Sequence, residues 1–291
     1  MKSLRTSSLF HYPQKLDNLK RILAQGFKPN YCEENFSLSD KPDLIVGIPL
    51  VSFCDIPLTR ITNFKIRYKE YAIGLSKDWG LKNGVNPVFY ATPNSFVLSS
   101  LQKIDEMRVQ HDDILKEQMS MNGYPLITNN QDYIALPLKQ SDPDFKSTLI
   151  SFMDSVNLFQ VRSTLFGFTK TYSEKRKGEI QNNYEENEWR FVLGENKLPG
   201  SSIEWKWGEE AYKIWRGDKE KDLKPDSIFQ PLKFGVEDVN FIILEDDSQI
   251  PEMIKYIQGL KEFGGYKIIS HSQKSILISK IISMARIEKD F

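Results

Sequence analysis

The chain has 291 residues, enough for one large domain or two small ones, and its 40% hydrophobic content is typical of a folded globular protein. Its 39 acidic and 39 basic side chains cancel, so no overall field draws it to nucleic acid or to a membrane surface. The two cysteines form no Cys-x-x-Cys pair, which argues against a disulfide framework or a structural zinc site and favours a reducing cytoplasm.

Hydrophobic periodicity predicts alternating strands and helices up to residue 120. We predict strands over 8–12, 44–56, 71–75 and 86–91, and helices over 16–25, 57–69, 77–82 and 93–120. Gly26 supplies a stop for the first helix, and Ser76 can cap the helix that begins at residue 77. The apolar run 44–53 is interrupted by Pro49 and is too short to span a bilayer. No signal peptide is visible at the N-terminus.

The second half of the chain begins with weaker patterns. Asn-Gly, Asn-Asn and Asp-Pro signals predict a long loop over 121–144, followed by a helix over 145–159 and a β-like segment through Thr169. The polar stretch 171–187 is expected to be an exposed, mobile loop. We then predict strands over 188–193 and 239–244, a helix with Ser248 as its cap and, after residues 266–270, a final helix through Ile287. No repeat or domain boundary is visible, so we expect one α+β domain over 1–291.

The string Glu186-Asn-Glu-Trp-Arg-Phe-Val-Leu193 alternates charged and apolar residues. A strand period of two puts the three apolar residues on one face, expected to be buried, and Glu186, Glu188 and Arg190 on the other. That polar face has two interpretations. It is either a solvated surface with an ion pair worth less than about 1 kcal/mol, or the rim of a cleft. In a cleft, Glu188 oriented by Arg190 could hydrogen-bond a sugar hydroxyl and stabilise positive charge at an anomeric carbon.

Two earlier strands carry similarly ambiguous residues. His11 is either a satisfied core residue or a ligand contact, and the face formed by Ala72, Gly74 and Ser76 allows close approach of a ligand or of another backbone. With no second histidine at metal-ligand spacing, we predict no metal site. The chain also lacks the P-loop, dinucleotide-binding and nucleophile-elbow motifs.

Several strings together resemble one bacterial family. They are Ser8-Leu-Phe-His-Tyr12, Val51-Ser-Phe-Cys-Asp-Ile-Pro-Leu58, Tyr71-Ala-Ile-Gly-Leu-Ser-Lys-Asp-Trp79, Asn86-Pro-Val-Phe-Tyr90 and Glu188-Trp-Arg190. These strings resemble the abortive-infection family AbiGi. The resemblance implies a role as the antitoxin half of a two-gene phage-defence system, whose partner is a nucleotidyltransferase-like toxin.

The same skeleton is similar to the ADP-ribosyltransferase superfamily, with a His on the first strand, a Tyr/Ser-bearing strand and a later Glu-x-Glu. That resemblance implies an α+β fold with a mixed or antiparallel split sheet surrounded by helices, and NAD as substrate without a metal. It also implies a site in which Glu188 and Glu186 are catalytic. The cofactor-binding residues that it implies are His11, Tyr12, Tyr71, Ser76 and Arg190. Residues 171–187 would then recognise the target.

Two functions therefore follow as expectations. The first is an NAD-dependent ADP-ribosyltransferase effector that modifies nucleic acid or protein during phage defence. In that case Glu188→Gln should abolish NAD cleavage and leave the thermal midpoint almost unchanged. The second is a non-catalytic antitoxin that neutralises a partner toxin. A nucleotide-sensing module without turnover is a third interpretation.

Overall fold

The structure, a computed structural model, describes most of the chain. The described residues are 6–36, 44–61, 70–121, 145–176, 179–194, 205–207, 210, 213–214, 229–267 and 269–290. The predicted loop over 121–144 lies outside the described residues except for Met121. Residues 62–69 of the predicted helix over 57–69 also lie outside them.

The described residues form thirteen strands and eight α-helices. The strands are β1 Ser8–His11, β2 Asn30–Phe36, β3 Leu44–Cys54, β4 Ala72–Ser76, β5 Asn86–Pro87, β6 Phe89–Ala91, β7 Thr169–Thr171, β8 Ser173–Arg176, β9 Glu179–Asn182, β10 Glu188–Val192, β11 Lys206–Trp207, β12 Val239–Leu244 and β13 Ile281–Ser283. The helices are α1 Leu16–Gln25, α2 Leu58–Ile61, α3 Lys77–Lys82, α4 Phe96–Met121, α5 Phe145–Gly167, α6 Ile250–Gly259, α7 His271–Ile278 and α8 Met284–Asp290.

Nine of the strands form one mixed sheet. Its order is β13-β12-β4-β1-β3-β10-β5, and β2 and β11 also pair with β3. The β12–β13 pair is parallel, whereas β1, β2, β10 and β11 all run antiparallel to β3. Two small sheets, the parallel β6–β7 pair and the antiparallel β8–β9 hairpin, complete the β-structure that is described. The predicted α+β class is confirmed.

The two faces of the large sheet bury different side chains. On one face, Leu9, Phe53 and Ile73 pack with buried residues of α1 and α6. On the other face, Phe10 and Cys54 pack with the C-terminal helix α8. Neighbouring residues of a strand point to opposite faces, and residues paired across two strands share a face. The face of any other strand residue therefore follows from its register with these core residues.

The glycine at position 74 of β4 is required by packing against a neighbouring ring. A Cβ added there would lie 2.7 Å from the ring of Phe10, so the glycine lets that ring rest on the β4 backbone. The close neighbour is an aromatic side chain rather than another backbone.

Two predictions for the N-terminal half, the end of α1 and the cap of α3, are confirmed. Helix α1 ends at Gly26, whose φ of 82° is in the left-handed region that favours glycine. The Ser76 hydroxyl accepts a hydrogen bond from the Trp79 amide and so caps α3. No helix among the described residues is long and apolar enough to cross a membrane.

Several predicted boundaries were wrong. Helix α5 continues to Gly167, because Arg162 and Phe166 are buried against the protein in helical conformation and this packing overrides the local β-propensity. The expected loop 171–187 instead holds the β8–β9 hairpin and a 3-10 turn, Asn183–Glu186, stabilised by backbone pairing that polar composition does not reveal. The final helix is divided by β13. Asp246, rather than Ser248, caps the turn before α6.

Candidate functional site

Strand β10 carries the carboxylate that the sequence singled out. Its register along β3 places Glu188 opposite Cys54 and Trp189 opposite Phe53. Glu188 and Arg190 therefore share the face of Cys54. Of the two interpretations of this polar face, the solvated surface was wrong, because Glu188 is only 5% exposed and Arg190 is 0% exposed. Trp189, on the face expected to be buried, is half-buried.

Five charged side chains from β2, β7, β10 and the 3-10 turn meet on this face; we call them the buried charge cluster. They are Glu34, Lys170, Glu186, Glu188 and Arg190. Lys170 Nζ lies 2.7 Å from Oε2 of Glu188 and 2.9 Å from Oε2 of Glu186. A buried charge is tolerated only when it is paired and hydrogen-bonded, and these distances meet that requirement.

Arg190 holds the other side of the cluster. Its Nε donates to Oε1 of Glu188 at 2.7 Å, and one terminal nitrogen donates to Oε1 of Glu34 at 2.6 Å. Its other terminal nitrogen donates to the Gly167 carbonyl at 3.2 Å. Both carboxylate oxygens of Glu188 thus accept hydrogen bonds from cations. The backbone amide of Glu188 donates to the Tyr90 hydroxyl at 2.7 Å, which fixes the start of β10.

The ion pairs of the cluster stabilise the charged forms of Glu188 and Lys170. Burial alone would raise the pKa of Glu188, but the charges and hydrogen bonds of Arg190 and Lys170 outweigh it and lower that pKa to about 2. Burial would lower the pKa of Lys170, and the neighbouring carboxylates, Glu188 foremost, raise it instead. Burial and Glu34 raise the pKa of Cys32 to about 12, so this thiol is not a nucleophile at neutral pH.

His11 lies on the opposite face of the sheet. Its neighbour Phe10 pairs with Cys54, which is also the partner of Glu188, so Phe10 and Glu188 share a face and His11 points away from it. The His11 ring packs edge-on against Phe27, and its Nδ1 lies 2.8 Å from the Ser52 carbonyl. Burial lowers the pKa of His11.

The remaining predicted cofactor contacts are dispersed. The Tyr71 hydroxyl donates to Oε2 of Glu245 at 2.9 Å and accepts from Gln249, in the 3-10 turn before α6, at 2.8 Å. Ser76 serves as the cap of α3. Strands β1 and β3 separate β4, which carries Ser76, from β10. Tyr12 lines a cavity together with His11.

The structure therefore brings Glu186, Glu188 and Arg190 together and places His11, Tyr71 and Ser76 elsewhere. Lys170 and Glu34, which complete the cluster, were not predicted from the sequence. Neither lies in a predicted strand, since no element was predicted at Glu34 and the β-like segment was predicted to end at Thr169, and their pairing depends on long-range register. Among the described residues, no group of three His, Cys, Asp or Glu side chains could hold a metal ion.

Comparison with known proteins bears on the function. The profile of the family described as "Putative abortive phage resistance protein AbiGi, antitoxin" matches residues 25–245, most of the chain. The chain belongs to the AbiGi family. Over 290 residues it is 25% identical to the abortive phage resistance protein AbiGi of Lactococcus lactis subsp. cremoris, covering 91% of this chain and 100% of that protein. No solved structure matches the chain. Membership of the AbiGi family places the protein in phage defence, and the ADP-ribosyltransferase-like fold stays a prediction.

Proposed function

We propose that this protein is the antitoxin of an abortive phage-resistance system, which binds and neutralises a partner toxin without catalysing a reaction itself. The family description, which names an antitoxin, supports this role. The resemblance noted in the sequence suggests a nucleotidyltransferase-like enzyme as the toxin.

The state of Glu188 is the observation that carries the proposal. A carboxylate that stabilises an oxocarbenium ion must face the substrate with at least one oxygen available to it. Both oxygens of Glu188 instead accept hydrogen bonds from Lys170 or Arg190, and the side chain is 5% exposed. Opening that site would require separating a buried carboxylate from two cations, which typically costs several kcal/mol. The cluster is better suited to hold β7, β10 and β2 together.

Co-expression with the neighbouring toxin gene tests the role. Cells that make the toxin alone should stop growing, and cells that make both proteins should grow. Cells that make only this protein should grow normally with unchanged NAD content. The two proteins should also co-purify, because neutralisation by binding requires a complex. A chain destabilised by Arg190→Ala serves as the control and should lose protection together with its fold.

An enzymatic outcome would look different. If this chain alone arrested growth and depleted NAD, and Glu188→Gln removed both effects while the protein stayed folded, the antitoxin proposal would be overturned. Binding of NAD to the purified chain, measured by calorimetry together with turnover, distinguishes that outcome from neutralisation in cells.

A further inference from the structure

A second site lies away from the buried charge cluster. A cavity of about 440 Å³ opens between the end of β1, helix α1 and the β2–β3 pair. Its volume lies within the range of roughly 300–1,000 Å³ that is usual for small-molecule sites. The residues that line it include His11, Arg21, Phe27 and Lys28.

The charged side chains that line this cavity are all cationic. Arg21 and Lys28 are exposed at its rim, and none of its seventeen lining residues, all of them described, is an Asp or a Glu. Asp17, one helical turn before Arg21, does not line it. Two cations without a lining carboxylate favour an anionic group, and a guanidinium and an ammonium group each bind phosphate well.

His11 adds a different requirement. A carbonyl oxygen can only accept, so the 2.8 Å contact with Ser52 means that Nδ1 of His11 carries the hydrogen and donates it. Burial disfavours the charged ring, so Nε2 keeps its lone pair and is an acceptor. A ligand group that reaches this nitrogen must therefore donate a hydrogen bond, as a sugar hydroxyl does.

The apolar part of the lining supplies the third element. Phe27 and Pro29 are buried, and Ile22 and Val51 also line the cavity, so an uncharged ring could be desolvated there. We infer that this cavity binds a small phosphorylated molecule with a hydroxyl-bearing sugar and an apolar ring, the chemistry of a nucleoside monophosphate. This inference goes beyond the antitoxin proposal and does not depend on it.

Isothermal titration calorimetry on the full chain tests it, with AMP, adenosine and inorganic phosphate as probes. AMP should bind, while adenosine and phosphate should each bind at least about tenfold more weakly, the effect of losing one charge-assisted hydrogen bond or the ring contacts. Arg21→Gln and Lys28→Gln should each weaken AMP binding by about tenfold. Both side chains are exposed, so these variants should keep the circular dichroism spectrum of the parent.

Lys82→Gln is the matched control, because Lys82 is an exposed cation on α3 that does not line the cavity. It should bind AMP like the parent. The inference is overturned if AMP shows no binding at millimolar concentration, if adenosine or phosphate binds as well as AMP, or if Arg21→Gln and Lys28→Gln bind AMP as tightly as Lys82→Gln does.

Discussion

Lys170 Nζ lies 2.7 Å from a carboxylate oxygen of Glu188, although 18 residues separate the two in the chain. The β8–β9 hairpin and the following 3-10 turn return the chain between them. The contact therefore ties the small β6–β7 sheet to the large one, since Lys170 belongs to β7 and Glu188 to β10. A residue first considered for catalysis is thus a structural tie between two sheets.

Removing the charge of Glu188 should destabilise the fold. Glu188→Gln removes the carboxylate that Lys170 and Arg190 share and leaves each cation with one remaining carboxylate, Glu186 or Glu34. Losing a hydrogen bond between charged groups costs about 1.5–3 kcal/mol. We expect the free energy of unfolding in urea to fall by that amount, with a lower thermal midpoint. This revises the expectation of an almost unchanged midpoint, which assumed a carboxylate open to a cleft.

Glu185→Gln provides the control for that substitution. Glu185 is a neighbouring glutamate whose side chain is exposed, so its loss of charge should change the stability by less than about 0.5 kcal/mol. Equal stability of Glu188→Gln and Glu185→Gln would contradict the buried ion pairs.

A double-mutant cycle measures the contact itself. Lys170→Met and Glu188→Gln should each destabilise the chain, because each removes hydrogen bonds between buried charged groups. Once one partner is gone, removing the other costs less, so the double mutant should be more stable than the sum of the single effects predicts. We expect an interaction energy of about 1–3 kcal/mol from urea denaturation. Additive single effects would show that the 2.7 Å contact contributes nothing to stability.

Lowering the pH should remove the stabilisation that the ionised Glu188 provides. The pKa of Glu188 is lowered from 4.5 to about 2 in the fold, so the unfolded chain takes up this proton first as the pH falls. The contribution is fully present above pH 4.5 and is lost between pH 4.5 and about pH 2, and a shift of that size corresponds to roughly 3 kcal/mol. Urea denaturation at a series of pH values should show this loss in the parent and a smaller loss in Glu188→Gln. Parallel profiles for the two proteins would count against a lowered Glu188 pKa.

The sequence predicted well those elements whose signals are local. Helix α1 followed from apolar spacing and a glycine stop, and α3 from the Ser76 cap, because both depend on residues within one or two turns. Strands β1, β10 and β12 followed from short apolar or alternating runs bounded by polar residues.

The candidate site was less predictable for a physical reason. A period of two shows that Glu188 and Arg190 share a face, but it does not show which face of the strand is buried. That depends on the register with β3 and on Lys170, which approaches from another sheet. Likewise, His11 and Glu188 each lie on a predicted strand, yet only the shared partner Cys54 reveals that they point to opposite faces.

Gly26→Ala tests the backbone geometry that ends α1 beside the proposed nucleotide cavity. Gly26 has φ of +82°, and a Cβ added there would lie 2.8 Å from the Leu232 carbonyl oxygen, so the alanine suffers both backbone strain and a clash. We expect a loss of about 1–3 kcal/mol in the free energy of unfolding. Gly84→Ala separates the two causes, because Gly84 has φ of +72° with nothing within 4 Å of an added Cβ. It should cost only the backbone strain, about 1 kcal/mol. If Gly26→Ala proved no more costly than Gly84→Ala in urea denaturation, the close approach of Leu232 to the end of α1 would be disproved.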